Sequence, residues 1–181
     1  MKINMGCGWR NFGSDWIHID GGDYSHLDYH DICDLPFEDS TVDLIYASHV
    51  IEYFNRKEVI NLLKEWNRVL KAGGVIRLAV PDFRALATLY LTEESFTLDN
   101  AIGPLYGQMQ MKNNTIYHKT TYDYESLKKI LLQSGFDQIK KFDWRITEHS
   151  KYDDHSQAYF PHMDKDNGTL VSLNVEGKKS V

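Results

Sequence analysis

Met1-Lys2-Ile3-Asn4-Met5-Gly6-Cys7-Gly8 opens the chain as a short apolar strand running into a glycine turn. Twelve residues after Gly8, Asp20 closes a second apolar run, Trp16-Ile17-His18-Ile19. Glycine at a strand end lets backbone approach a ligand where a Cβ would collide with it. An acid at the end of the next strand can accept both hydroxyls of a ribose. Together these features form a compact nucleoside-binding signature. Each has a plainer reading, since Gly6-Cys7-Gly8 also suits a tight turn and Asp20-Gly21-Gly22 is itself a turn sequence.

Outward from this stretch the chain alternates strand and helix patterns. Strands are expected at 1–5, 16–20, 27–31, 42–47, 74–80, 136–144 and 169–175. The runs at 42–47 and 74–80 are continuously apolar, as central parallel strands covered on both faces require. Residues 55–71 put Val59, Leu62, Leu63, Trp66, Val69 and Leu70 on one helical face, with Asn55 as N-cap and Gly73-Gly74 as stop. Residues 123–134 follow the capping signal Thr121-Tyr122-Asp123 and end at Gly135. The order implies an α/β sheet with right-handed crossovers. The tail Glu176–Val181 reads as frayed.

The chain has 181 residues, a net charge of −6 with both signs interspersed, and two cysteines, Cys7 and Cys33. That length suits one domain, 1–181. The charge argues against nucleic acid or an anionic membrane surface as partner. Two cysteines make no disulfide framework, which fits a reducing cytoplasm. No apolar run approaches the ~20 residues that span a bilayer, and the N-terminus lacks the features of a signal peptide. His26, Asp28 and His30 alternate on one face of the expected third strand, yet without a fourth ligand they form no metal site.

Three further blocks carry a family resemblance: Asp31 to Glu52, Glu65 to Pro81, and Tyr124 to Phe136. With the opening motif they stand in the order found in class I S-adenosylmethionine-dependent methyltransferases, and most resemble the small methyltransferase type 11-like members. The resemblance implies a Rossmann-like sheet of seven strands, the last antiparallel. It implies S-adenosylmethionine as cofactor, cradled by Asn4, Met5, Gly6, Cys7 and Gly8, with Asp20 on the ribose. Asp31 and the Ile32 backbone would read adenine, and Ser48 and His49 would border the methionyl and adenine parts. Where the family often has an acid, this chain has Asn4, which contributes no charge.

The acceptor implied by the family is a small molecule, or a saccharide-like compound as for relatives tied to polysaccharide biosynthesis. Asp82 to Tyr122, rich in Tyr, Met, Gln and Asn, falls where the family inserts substrate-covering elements, so 83–122 is either a lid or a packing arm. Within it His118 is the candidate general base, since imidazole titrates near neutrality. A non-catalytic cofactor-binding protein is the competing reading. A nicotinamide enzyme is disfavoured because Asn11 stands where Gly-x-Gly-x-x-Gly needs its third glycine.

One departure from the family pattern matters physically. Trp9 to Asp15 and Gly21 to His26 are too short to hold the usual early helices. An uncovered apolar sheet face follows, and it calls for a cover, expected from a second copy in a homodimer or from 83–122.

Overall fold

A computed structural model describes residues 1–180. In chain order the sheet strands and first helix are β1 (Lys2–Met5), β2 (Ile17–Ile19), β3 (Val42–Ser48), α1 (Glu58–Val69) and β4 (Leu70–Pro81). Then come α2 (Phe83–Thr92), α3 (Leu98–Tyr106), the hairpin β5 (Gln108–Met111) and β6 (Asn114–Tyr117), α4 (Tyr124–Gln133) and β7 (Phe136–Lys141). A second small hairpin, β8 (Tyr159–Phe160) and β9 (Thr169–Leu170), precedes β10 (Ser172–Lys179). Six strands form the central sheet in the order β2-β1-β3-β4-β10-β7. β10 inserts antiparallel to both β4 and β7.

The expected third strand, 27–31, shrinks to a single bridge between Ile19 and Tyr29. Its polar groups are diverted: Asp28 Oδ2 accepts from the His18 N–H at 2.8 Å instead of leaving the backbone free to extend a ladder. The segment expected to fray is a strand through Lys179, because Glu176 and Lys178 pair with both neighbours; Val181 lies outside the described residues. No early helix occurs between β1 and Tyr29.

One sheet face is buried under α1 and α4. Ile3, Met5, Ile45, Ile76 and Leu78 pack there against Val59, Leu63, Trp66, Leu127 and Leu131. Helix α1 starts where Asn55 Oδ1 accepts from the Lys57 and Glu58 N–H groups and Glu58 Oε2 accepts in return from the Asn55 N–H. It ends at Val69, with β4 beginning at once, so the helix stops short of the glycine pair. Helix α4 carries a reciprocal Asp123–Ser126 capping box and ends before Gly135, whose φ is +87°.

The opposite face needs neither a second copy nor 83–122. Leu44 and Tyr46 are buried beneath Phe12 and Trp16, with Phe142 and Tyr152 packed against the cluster. Phe12 stacks on Tyr152 at 4.4 Å and on His149 at 5.9 Å, and His149 lies 3.9 Å from the Tyr46 ring centroid. The Tyr46 hydroxyl donates to Asp154 Oδ2 at 2.6 Å, anchoring the covering segment. Residues around 142–157 thus replace the missing early helix, and the argument for a homodimer falls away. Segment 83–117 instead builds its own cluster of Leu86, Leu89, Phe96 and Ala101 against Phe160 and Val171.

Candidate functional site

A cavity of about 1000 Å³ opens at the carboxyl ends of β1, β2 and β3, where open α/β sheets bind ligands. It lies at the upper end of the ~300–1,000 Å³ typical of ligand sites. Gly6, Gly8, Asp20, Asp31, Ile32, Ser48, His49 and His118 all line it. Those eight come from five separate stretches of the chain.

The glycine turn is bound to the end of β2. The Gly6 N–H donates to Ile19 O at 2.7 Å, and φ at Gly6 and Gly8 is +63° and +56°. A Cβ on Gly6 would overlap Val50, whereas one on Gly8 would meet nothing. Gly6 therefore serves packing and Gly8 keeps space open. Asp20 fastens the arrangement: Oδ2 accepts from the Gly8 N–H at 2.8 Å and Oδ1 from the Gly22 N–H at 2.6 Å. Each oxygen keeps a further lone pair for a ligand hydroxyl.

Three residues of the opening motif do not line the cavity. Met5 is core. Asn4 is buried on the opposite sheet face, in register with His18 and Tyr46, and its Nδ2 has no hydrogen-bond partner. Cys7 is buried with Sγ 3.6 Å from Gly8 O, and burial, with Asp20 nearby, pushes its thiol up to about 12. His26, Asp28 and His30 diverge: His26 faces Cys7, Asp28 binds the His18 amide and His30 lines the cavity. Among the described residues no group of three or more His, Cys, Asp or Glu side chains could hold a metal ion.

Asp31 Oδ1 accepts from the Cys33 N–H at 2.7 Å, so it does cap a turn. That turn leaves the Ile32 N–H without a partner among the described residues, while the Ile32 carbonyl accepts from the Trp66 indole N–H at 2.8 Å. An acid and a free adjacent amide stand ready at the wall. Ser48 Oγ is also buried without a partner.

His49 adopts φ +55°, a sparsely populated conformation for a side chain-bearing residue, with its N–H donating to Ala79 O at 2.8 Å. Its ring lies against His155 at 4.9 Å. His118 Nδ1 is 3.0 Å from the Pro104 carbonyl, so Nδ1 carries the proton and Nε2 the lone pair. Burial depresses the basicity of His49, His118 and His155, which favours neutral rings at pH 7.

Several wall residues had no clear sequence signal. Trp9, with Arg10 over its ring at 4.9 Å, follows the glycine turn directly. Tyr24 and Met111 lie against Gly22 and Gly21. His155 lines the cavity, whereas His149 belongs to the core.

Residues 17–78 match the family described as "Methyltransferase domain". The chain is 30% identical over 127 residues to a demethylmenaquinone methyltransferase from Staphylococcus haemolyticus, covering 64% of this chain and 49% of that protein. The Staphylococcus saprophyticus enzyme of the same name is 29% identical over 122 residues, at 61% and 48% coverage. The chain thus spans about half the length of the curated relatives it matches. In fold it is similar to a SAM-dependent methyltransferase from Archaeoglobus fulgidus, with TM-score 0.60, 17% identity, and 98% and 85% of the two chains covered. A SAM-dependent methyltransferase from Methanosarcina mazei gives 0.59 at 15% identity, covering 99% and 92%. A sheet with β10 inserted antiparallel between β4 and β7, a cavity at the strand ends and the matched stretch agree in one respect: the fold is the Rossmann-like α/β fold of these S-adenosylmethionine-dependent methyltransferase neighbours.

Proposed function

We propose that the cavity binds S-adenosylmethionine beside a small-molecule acceptor and that the protein transfers a methyl group between them. The observation that carries this reading is the Gly8–Asp20–Gly22 clasp, a carboxylate held by two backbone amides with lone pairs to spare for a diol. Asp31 and the free Ile32 N–H suit the edge of an adenine, an acceptor beside a donor. Gly8 gives the room that close backbone approach requires. Asn4 sits behind the sheet and serves this site only by packing.

When bound, the sulfonium supplies an activated methyl group, so the chain's task is to place a nucleophile in line and exclude water. The acceptor half of the cavity is walled by Tyr53, Phe54, Met109, Met111 and Ile116. This apolar, polarisable surface suits an aromatic or apolar molecule better than a saccharide. The names of the curated relatives point the same way. Helices α2 and α3 and the β5–β6 hairpin form the substrate-covering insertion in this reading, with Met111 seated over Gly21. His118, whose Nδ1 is committed to Pro104, offers Nε2 as the base for an acceptor that must lose a proton.

Calorimetric titration with S-adenosylmethionine and S-adenosylhomocysteine, on wild type and Asp20→Ala, tests the cofactor half. Micromolar binding lost in the variant is expected; no binding by folded wild type would end this reading. Transfer of labelled methyl to a demethylmenaquinone analogue tests the acceptor half. Saturable cofactor binding without any turnover on quinol, phenol and amine acceptors would favour the non-catalytic alternative.

A further inference from the structure

Glu52 takes no part in the function proposed above, yet it is the most constrained ionisable group in the molecule. It lies in the single helical turn Ile51–Tyr53 and is 0% exposed. Neither carboxyl oxygen has a hydrogen-bond partner within ordinary distance. Its Oε1 is 3.4 Å from His49 Nδ1 and 3.8 Å from His118 Nε2. The first ring belongs to the cofactor wall at the end of β3, the second to the acceptor wall after β6. The Glu52 backbone joins the same two walls, since its carbonyl accepts from the Lys119 N–H at 2.8 Å.

Burying a carboxyl group with no partner costs several kcal/mol if it is charged and less if it is neutral. The surroundings supply no cation to offset a charge. On its own segment stand His49 and Tyr53; from the loop before α1 comes Arg56, whose Nη2 turns to the Thr121 carbonyl. From the segment after β6 come His118 and Lys119, and Lys119 Nζ turns away to Glu58 at 3.2 Å. Tyr122 packs from before α4 with its hydroxyl unpartnered, and His155 and Arg10 act on His49 from the far side. Burial accordingly pushes Glu52 up to about 8, and both neighbouring imidazoles are held neutral. These close contacts are therefore neutral acid against neutral base at pH 7, not ion pairs.

A single acidic proton thus faces two lone pairs. His118 Nε2 is a lone pair because Nδ1 bonds to Pro104, and His49 presents Nδ1 to the same carboxyl oxygen. We propose that Glu52, as the neutral acid, is a positioning residue whose single proton stands between His49 and His118 and ties the cofactor wall to the acceptor wall. This rests on the methyltransferase reading. In the step, the acceptor's O–H or N–H bond breaks and its electron pair stays on the acceptor atom. The proton passes to His118 Nε2, which becomes an imidazolium while Glu52 stays the neutral acid. The cluster gains one proton and one positive charge, and the proton later leaves to solvent.

The test is imidazole proton–nitrogen NMR of the full chain from pH 6 to 9.5, with S-adenosylhomocysteine affinity measured alongside, on wild type, E52Q and the assignment variants H49Q and H118Q. In wild type, the His49 and His118 nitrogens should move together through one transition near pH 8. In E52Q that transition should vanish while S-adenosylhomocysteine still binds. In H118Q the His49 nitrogens should still report it, which decides the matter even where E52Q fails to fold. A wild-type titration without the shared transition, or the same transition in E52Q, overturns the proposal. Absence of S-adenosylhomocysteine binding by wild type would instead sink the methyltransferase reading. A bound ligand with an E52Q titration like wild type would sink only the role given to Glu52.

Discussion

The Trp66 indole N–H donates to the Ile32 carbonyl at 2.8 Å, linking the most buried ring of α1 to the loop that faces the proposed adenine site. Arg68, two residues on, braces the same loop, donating to the Leu35 and Phe37 carbonyls at 3.0 and 2.8 Å and pairing with Glu65. The loop between Asp31 and Asp39 is short of backbone partners of its own, so α1 holds it in place. Trp66→Phe keeps most of the packing and removes one bond. It should cost about 1–2 kcal/mol of stability, measured by urea unfolding, and weaken S-adenosylhomocysteine binding more than a matched core change at Leu63 does.

Asp20 does two jobs that substitution can separate. Asp20→Asn keeps one oxygen for a backbone amide but removes charge and an acceptor, so ligand affinity should fall by about tenfold or more while the fold persists. Asp20→Ala frees both the Gly8 and Gly22 amides and should lower stability as well. Equal ligand affinity in wild type and Asp20→Asn would argue that the carboxylate serves the loop alone.

Two buried groups give pH dependences of opposite sign. An unfolded Glu52 ionises near its ordinary 4.5, while burial holds the folded one to about 8. Between those values the folded protein keeps a proton that the unfolded chain has lost, so stability falls as pH rises, by about 1.4 kcal/mol per pH unit at most. For His149 burial pulls the ring from 6.5 to about 4. There the unfolded chain gains a proton first, so its contribution is lost as pH falls through that window. Denaturant unfolding across pH should show E52Q flattening the fall in stability between pH 4.5 and about 8, and His149→Phe the loss as pH drops below 6.5.

The two thiols should react very differently. Cys33 is exposed and lines the cavity, whereas Cys7 is buried and its thiol is held in the protonated form. A maleimide should label Cys33 alone in the native protein, and S-adenosylhomocysteine should slow that labelling. Modification of Cys7 at a comparable rate would mean that the glycine turn opens readily.

What could be read from sequence follows contact range. Helix α1 was legible because six apolar residues share one face, and β3 and β4 because a strand covered on both sides is apolar throughout. Asp20 was legible because its partners lie within twelve residues of it. The β5–β6 hairpin left a fainter sign in Lys112-Asn113, with Lys112 at φ +53°, amid a run of Met and Gln that suggests no strand. The aromatic cover was not legible, since Tyr46 and Asp154 meet across 108 residues. Nothing in the sequence around Glu52 signals its partner; only the fold brings His118, 66 residues on, to it.

Covering the second sheet face from residues 142–157, and seating β10 between β4 and β7, has a consequence for biosynthesis. A ribosome emits the glycine turn, β1 and β2 long before the aromatic layer that shields them. Until Asp154 has cleared the exit tunnel Tyr46 has no hydroxyl partner, and until residue 179 has followed it β4 has an unpaired edge. Nascent chains should therefore keep the β4 edge and this aromatic face open until β10 and its preceding segment have emerged, and acquire the pocket in one step instead of growing it strand by strand.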